Sequence, residues 1–263
     1  MASDTLGTAP GAAPAADNPP QDRPRWRRGH LATPLFLAAV VLALYGWLAA
    51  ADLDSIEARV LTGDAIVTAA VQHLEITAIA TLVVVAIAIP LGVLLTRRGM
   101  RWLTPGALAL ANIGQAAPAL GILVILAMVF EVGRGIAIAA LVISAVLPVL
   151  RNTIVGIQQV DATLVEAAAG MGLRPRQVLA RVELPLAVPV LLAGVRSTLV
   201  ICVGVTTVAT FVNAGGLGDV IVVGIKTTRT PVLVTGAVLT AVIALGLDWL
   251  AGLLEHLLRP RGV

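Results

Sequence analysis

The sequence predicts an all-α integral membrane protein with about six spanning helices. Three observations carry this reading. Of 263 residues, 58% are hydrophobic and only 13% are charged, whereas a soluble domain is roughly one quarter charged. So few polar side chains cannot cover a soluble surface. The apolar residues also gather into uncharged runs, and crossing about 30 Å of hydrocarbon takes a helix of roughly 20 residues. Finally, the basic residues are spread unevenly over the segments that join those runs.

Residues 1–30 form the first element, a disordered tail. Met1 to Pro20 is rich in Ala, Gly and Pro and has no apolar periodicity, a composition that buries too little to fold. Arg23, Arg25, Arg27 and Arg28 then precede an uncharged run from Gly29 to Ala51, which gives a first spanning helix at 31–51. A signal peptide competes for this run, but a long Pro-rich leader without a clean cleavage site favours a retained helix. A core follows over 70–258, with an inner segment at 152–184. Its spans fall at about 74–96, 105–130, 135–151, 185–211 and 231–254, the fourth being short. The runs are apolar at both parities and too long for the alternating strands of a membrane barrel.

Orientation comes from the arginines. With the N-terminus inside, the inner segments hold Arg23, Arg25, Arg27, Arg28, Arg97, Arg98, Arg101, Arg151, Arg174, Arg176, Arg181, Arg259 and Arg261. The outer segments hold Arg59, Arg134, Lys226 and Arg229. Short loops rich in Lys and Arg stay inside, so both termini are expected in the cytoplasm. A formal charge of +3, dispersed in this way, excludes a nucleic-acid binder. One cysteine, Cys202, excludes an internal disulfide framework and a Cys-rich metal site.

The inner segment is more than a connector. Asp161 is placed to cap a short helix with its carboxylate. Val165, Ala168 and Ala169 form a small-residue face on that helix. Gly170 and Gly172 stop it, and Pro175 suits the first turn of the next helix. Helix, glycine turn and helix make a rigid knob with Glu166 and Arg174 at its edges. It reads either as an interfacial connector or as a docking element for a soluble partner.

Glu166-Ala167-Ala168, then Gly172, then Val182-Glu183-Leu184-Pro185 resembles the EAA loop of the permease subunits of binding-protein-dependent ABC importers, with Val182 where the motif usually has Ile. From about Leu74 to Thr228 the chain is most similar to the osmoprotectant branch, the permeases for glycine betaine, carnitine, choline and proline. Ile89-Pro90-Leu91-Gly92, Asn112-Ile113-Gly114-Gln115, Leu147-Pro148-Val149-Leu150 and Ala214-Gly215-Gly216-Leu217-Gly218-Asp219 are among the segments that carry this resemblance. It implies a MetI-like permease fold in the bacterial inner membrane, with two protomers, as a homo- or heterodimer, around one pathway. It also implies a cytoplasmic ATPase dimer that binds ATP-Mg, and an extracytoplasmic substrate-binding protein. The coupling residues it assigns are Glu166, Ala167, Ala168, Gly172, Arg174 and Pro185.

Polar residues inside the spans are the pathway candidates. Asn112 and Gln115 lie three apart on one helix face. They read as lining the path or its gate, or as local helix–helix hydrogen bonds. Pro118 allows a kink nearby. Thr206 and Thr210 are one turn apart and read as facing the pathway or bonding back to their own helix. Arg196 reads as snorkelling or as half of a salt bridge. His73 and Glu75 are expected at the outer entry of the second span, and Asp248 inside the sixth. Gly215, Gly216 and Gly218 only superficially resemble a phosphate loop, since no Lys-Ser/Thr directly follows them. They are expected to make a tight turn, which the resemblance places near the outer gate.

No phosphate loop and no catalytic His/Cys/Asp spacing is present, so the chain is expected to bind no cofactor and to hydrolyse nothing. A quaternary ammonium is well held by an aromatic cage, but Trp26, Tyr45, Trp47, Trp102 and Trp249 are scattered. Selection of the solute is therefore expected in the separate binding protein. An importer for another amino acid or small cation is the alternative within the class. An ion-coupled secondary transporter using Glu75 or Asp248 is the alternative outside it. A membrane anchor for a soluble complex would keep the knob but leave Asn112, Gln115 and the threonines without a pathway.

Overall fold

The structure, a computed structural model, describes residues 26–258. The tail expected over 1–30 lies outside the described residues as far as residue 25. Every regular element among the described residues is helical. Among the described residues five helices are long and apolar enough to cross a membrane, and a bent pair brings the number to six if it is taken as one span.

Helix α1 covers Trp26–Ala50. The short α2, Ser55–Val60, is started by a reciprocal cap: Asp54 accepts from the amides of Ile56 and Glu57 at 2.9 and 2.8 Å, and Glu57 accepts from the Asp54 amide at 3.0 Å. Helix α3 runs over Gly63–Thr96, 34 residues, or about 50 Å at 1.5 Å per residue. It begins well before the expected residue 74, because Thr62 caps it and no helix breaker lies between. Charge-free length understates such a helix: Asp64, His73 and Glu75 interrupt the apolar run without interrupting the backbone. His73 and Glu75 therefore lie about three turns inside the helix rather than at its entry.

The third expected span, 105–130, is not one helix. α4, Thr104–Ala116, and α5, Ala119–Val129, meet at 96°. The residue before a proline is pushed out of the helical region by the ring, and Ala117 is extended at φ −67°, ψ 138°. At 13 and 11 residues, neither half alone reaches about 30 Å. Helix α6, Arg134–Gln158, is longer than the expected 135–151. Its run past Leu150 carries Arg151 and Asn152 without a breaker.

The knob helices α7, Ala162–Gly170, and α8, Pro175–Val178, follow. A π-turn over Leu179–Glu183 leads into α9, Leu184–Thr206, which ends in a 3-10 stretch over Thr207–Val212. α10, Leu217–Lys226, and α11, Thr230–Leu258, close the chain.

The core forms around α6, which packs against α3, α4, α5 and α9. Alanine is the commonest of its buried residues, with Ala80, Ala88, Ala137, Ala140 and Ala145 packed among Val84, Leu141 and Val149. Lipid gives no hydrophobic drive between helices, so close backbone approach takes over. A Cβ placed on Gly114 would stand 2.9 Å from the Ile143 carbonyl oxygen, and one on Gly194 would stand 2.8 Å from that of Pro148. Helix α11 lies on α9 and α10, and α1 lies on α11 at the periphery.

Candidate translocation and coupling sites

At one end of the bundle sits the knob. The Asp161 carboxylate accepts from the Thr163 amide at 2.8 Å and starts α7. That amide and the Thr163 hydroxyl hold its carboxyl below the usual carboxylate range. Gly172 takes φ +85°, a left-handed position suited to glycine. Pro175 then opens α8, where the Gln177 side chain accepts from the Arg174 amide at 2.8 Å. Ala168 and Val178 are buried where the two helices and the π-turn close on one another. Ala168 thus packs the knob itself and is not on its outer face, while Ala169 is exposed. Glu166, Ala167, Gly172 and Arg174 are exposed, and Pro185 is half-buried in the first turn of α9. Leu164 and Met171 add exposed apolar groups to the knob. Sequence reasoning named neither as a site residue, although large apolar side chains in a polar segment were a signal for them.

At the other end lies the glycine turn. Gly215 and Gly216 have φ of +86° and +100° and press against α3. The Gly216 amide donates to Gln72 Oε1 at 3.1 Å, and a Cβ on Gly215 would stand 2.5 Å from the same oxygen. His73 is fully buried beside the turn, with Nε2 at 3.1 Å from the Val203 carbonyl oxygen. Arg134 ties the turn from a third side, donating to the Ala214 carbonyl at 3.2 Å and to Glu75 at 3.0 Å. A cavity of about 410 Å³ opens here, with Asp64, Thr68, Gln72 and Asp219 on its wall.

Thr206 and Thr210 belong to the same end. Thr206 is fully buried; it donates to the Cys202 carbonyl at 2.7 Å and stands 3.2 Å from the Thr77 hydroxyl. Its proton is committed to its own helix, so Thr77 donates and the pair joins α3 to α9. Thr210 donates to the Asp219 carboxylate. The structure therefore brings Thr206, Thr210, Gly215 and Gly216 together around the Gln72–Thr77 stretch of α3. Gln72 and Thr77 were not singled out from the sequence; the polar cluster Gln72-His73-Glu75 within an apolar helix was their signal.

Asn112 and Gln115 lie elsewhere, exposed on α4 just before the break. Asn112 donates to the Leu108 carbonyl of its own helix at 2.8 Å. Beside them, an apolar groove of about 570 Å³ runs between α4 and α6, walled by Leu110, Ile113, Gly114 and Ile143 among others. Both carboxylates on which the ion-coupled alternative depends are paired with arginines: Glu75 with Arg134, and Asp248 with Arg196. Arg196 therefore takes the salt-bridge reading rather than snorkelling. Among the described residues no three His, Cys, Asp or Glu side chains group so as to hold a metal ion.

Residues 88–260 match the family model described as binding-protein-dependent transport system inner membrane component. The carnitine transport permease protein OpuCD of Listeria monocytogenes is 40% identical over 190 residues, 72% of this chain and 84% of that protein. The choline transport system permease protein OpuBB of Bacillus subtilis is 38% identical over 192 residues, 73% of this chain and 88% of that one. Among solved structures, a chain of the inward-facing MetNI methionine ABC transporter superposes with a TM-score of 0.65 at 25% identity, covering 74% of this chain and 96% of that one. The helical core is thus that of a MetI-like permease, and the chain belongs to the family of inner-membrane components of binding-protein-dependent transport systems.

Proposed function

We propose that this chain is the membrane-spanning subunit of an ATP-driven importer of compatible solutes bearing a quaternary ammonium or similar small cationic group, such as glycine betaine, choline, carnitine or proline. The observation that carries this is the 38–40% identity, over nearly three quarters of the chain, to permeases named for carnitine and choline. The knob is the coupling segment, held on the cytoplasmic side by the arginines around it, and both termini lie on that side. Glu166, Ala167 and Arg174 face a cytoplasmic ATPase dimer that binds ATP-Mg; Ala168, Gly172 and Pro185 keep the knob in shape. A second permease protomer completes the pathway, and an extracytoplasmic binding protein docks near the glycine turn and selects the solute. Thr210, Gly215 and Gly216 act at that gate, Thr206 holds it to α3, and Asn112 and Gln115 line the path.

The test is reconstitution of the chain with its cognate ATPase and binding protein in liposomes. ATP hydrolysis stimulated by betaine, choline, carnitine or proline supports the reading. Stimulation by methionine alone would move the substrate to the amino-acid class of the MetNI methionine transporter. Uptake by the chain alone would overturn it. The Glu166→Arg variant is expected to abolish coupled uptake while leaving the membrane core folded.

A further inference from the structure

The end of α3 nearest the knob is tied to the coupling segment by an ion pair. Arg97, the residue that ends α3, reaches across 86 positions of sequence to Glu183. Its two terminal nitrogens donate to the two carboxylate oxygens at 3.4 and 2.5 Å. Bidentate contact of this kind fixes direction as well as distance. The Arg97 Nε also donates to the Val93 carbonyl at 3.3 Å, so the guanidinium is anchored to its own helix. The Glu183 side chain is only 12% exposed.

Glu183 is the last residue of the π-turn between α8 and α9. π-segments are rare and recur at functional positions. This one joins the knob to the membrane helix that follows it. The knob thus has three links to the core: the chain from α6, the chain through the π-turn into α9, and Arg97–Glu183, directly to α3. The far end of α3 carries Gln72, His73 and Thr77, which bond to Gly216, Val203 and Thr206. One continuous helix therefore touches the coupling segment at one end and the glycine turn at the other.

We propose that Arg97 and Glu183 are positioning residues of the transport cycle, a strut that passes displacement of the coupling segment into α3 and along it to the glycine turn. This rests on the reading of the knob as the ATPase-facing segment. A pair that merely anchors α3 at the membrane surface, or completes its C-terminal end, would need Arg97 but not Glu183. Glu183 is therefore the residue to change first.

The experiment uses the full transporter, with ATPase and binding protein, in lipid nanodiscs. It compares wild type with Glu183→Gln, Arg97→Gln and the exchanged pair Arg97→Glu/Glu183→Arg. Two readouts are taken: solute transported per ATP hydrolysed, and the nucleotide-driven change in thiol reactivity of a reporter cysteine at the exposed Phe211 position, beside the turn. The second readout needs no solute, so it reports on the strut even if the assigned substrate class is wrong. The expected result is that both single variants co-purify with the ATPase and retain basal hydrolysis. Both lose about tenfold in transport per ATP, a typical size for a coupling effect, and the reporter no longer responds to nucleotide. The exchanged pair regains most of both signals. Wild-type coupling and a normal reporter response in Glu183→Gln would overturn the strut and leave the importer assignment standing. Equal loss of assembly in the single variants and in the exchanged pair would also overturn it, by making the pair purely structural.

Discussion

Arg196 on α9 and Asp248 on α11 face one another as a two-pronged ion pair, with nitrogen–oxygen distances of 2.5 and 2.6 Å. Both lie within membrane-spanning helices. A lone charge at mid-membrane costs about 2.5–3.5 kcal/mol on insertion scales, and the partner offsets that cost. Asp248→Asn, which strands the arginine, is expected to destabilise the folded protein by about 2–3 kcal/mol. The double replacement Arg196→Met/Asp248→Leu is expected to cost less than either single change, because no unpaired charge remains. Thermal unfolding of the wild type, Asp248→Asn, the single replacements Arg196→Met and Asp248→Leu, and the double variant in one detergent checks the order.

The glycine turn is over-determined by two constraints at Gly215, its left-handed φ and the 2.5 Å approach to Gln72 Oε1. Gly215→Ala is expected to lose about 1–3 kcal/mol through the combination. Adding Gln72→Ala removes the clash but not the backbone strain, so the double variant should recover only part of the loss. Unfolding midpoints measure stability. A thiol reporter near the turn measures whether it still sits on α3.

Pro118 breaks the third span by acting on Ala117. Replacing it with alanine restores a backbone amide and lifts the restriction on the preceding residue. Pro118→Ala is expected to open the 96° angle toward a continuous helix. Spin labels on α4 and α5 should then move apart, and transport should fall because Asn112 and Gln115 shift with the helix end. An unchanged label distance would place the cause of the bend in packing against α6 instead.

The knob is capped by a carboxylate held below its ordinary titration range by Thr163. Such a group stabilises the folded form above its unfolded pKa, about 3.9. That contribution fades as pH falls through the lower folded value. Amide exchange at Thr163 and Leu164 should therefore speed up relative to the intrinsic rate only below about pH 4, and in Asp161→Ala at every pH. A knob whose exchange ignores Asp161→Ala would not depend on this cap.

Much of the knob was legible in the sequence because its determinants act locally. Asp161, Gly172 and Pro175 each shape a turn within a few residues, and each does so in the structure. Pro118 was legible as a point of weakness. Only the structure showed that it divides the span, because the size of a bend depends on whether neighbouring helices accept it. The early start of α3 was missed because charged residues were read as ends, whereas Thr62 and the unbroken helical backbone set the true start.

From residue order alone come the membrane class, the approximate positions of the spans, the uneven placement of arginines and the local shape of the coupling segment. These depend on composition and on interactions a few residues long. The tertiary structure decided which charges meet and which polar groups close the ends of the bundle. Arg196–Asp248, Arg97–Glu183, His73–Val203 and Gln72–Gly216 are separated by 52, 86, 130 and 144 positions. Hydropathy places each of these residues in or beside a helix. It does not say which face of that helix turns toward which neighbour. Close approach at small residues such as Gly114 and Gly194 settles that, and with it which partner each polar side chain finds.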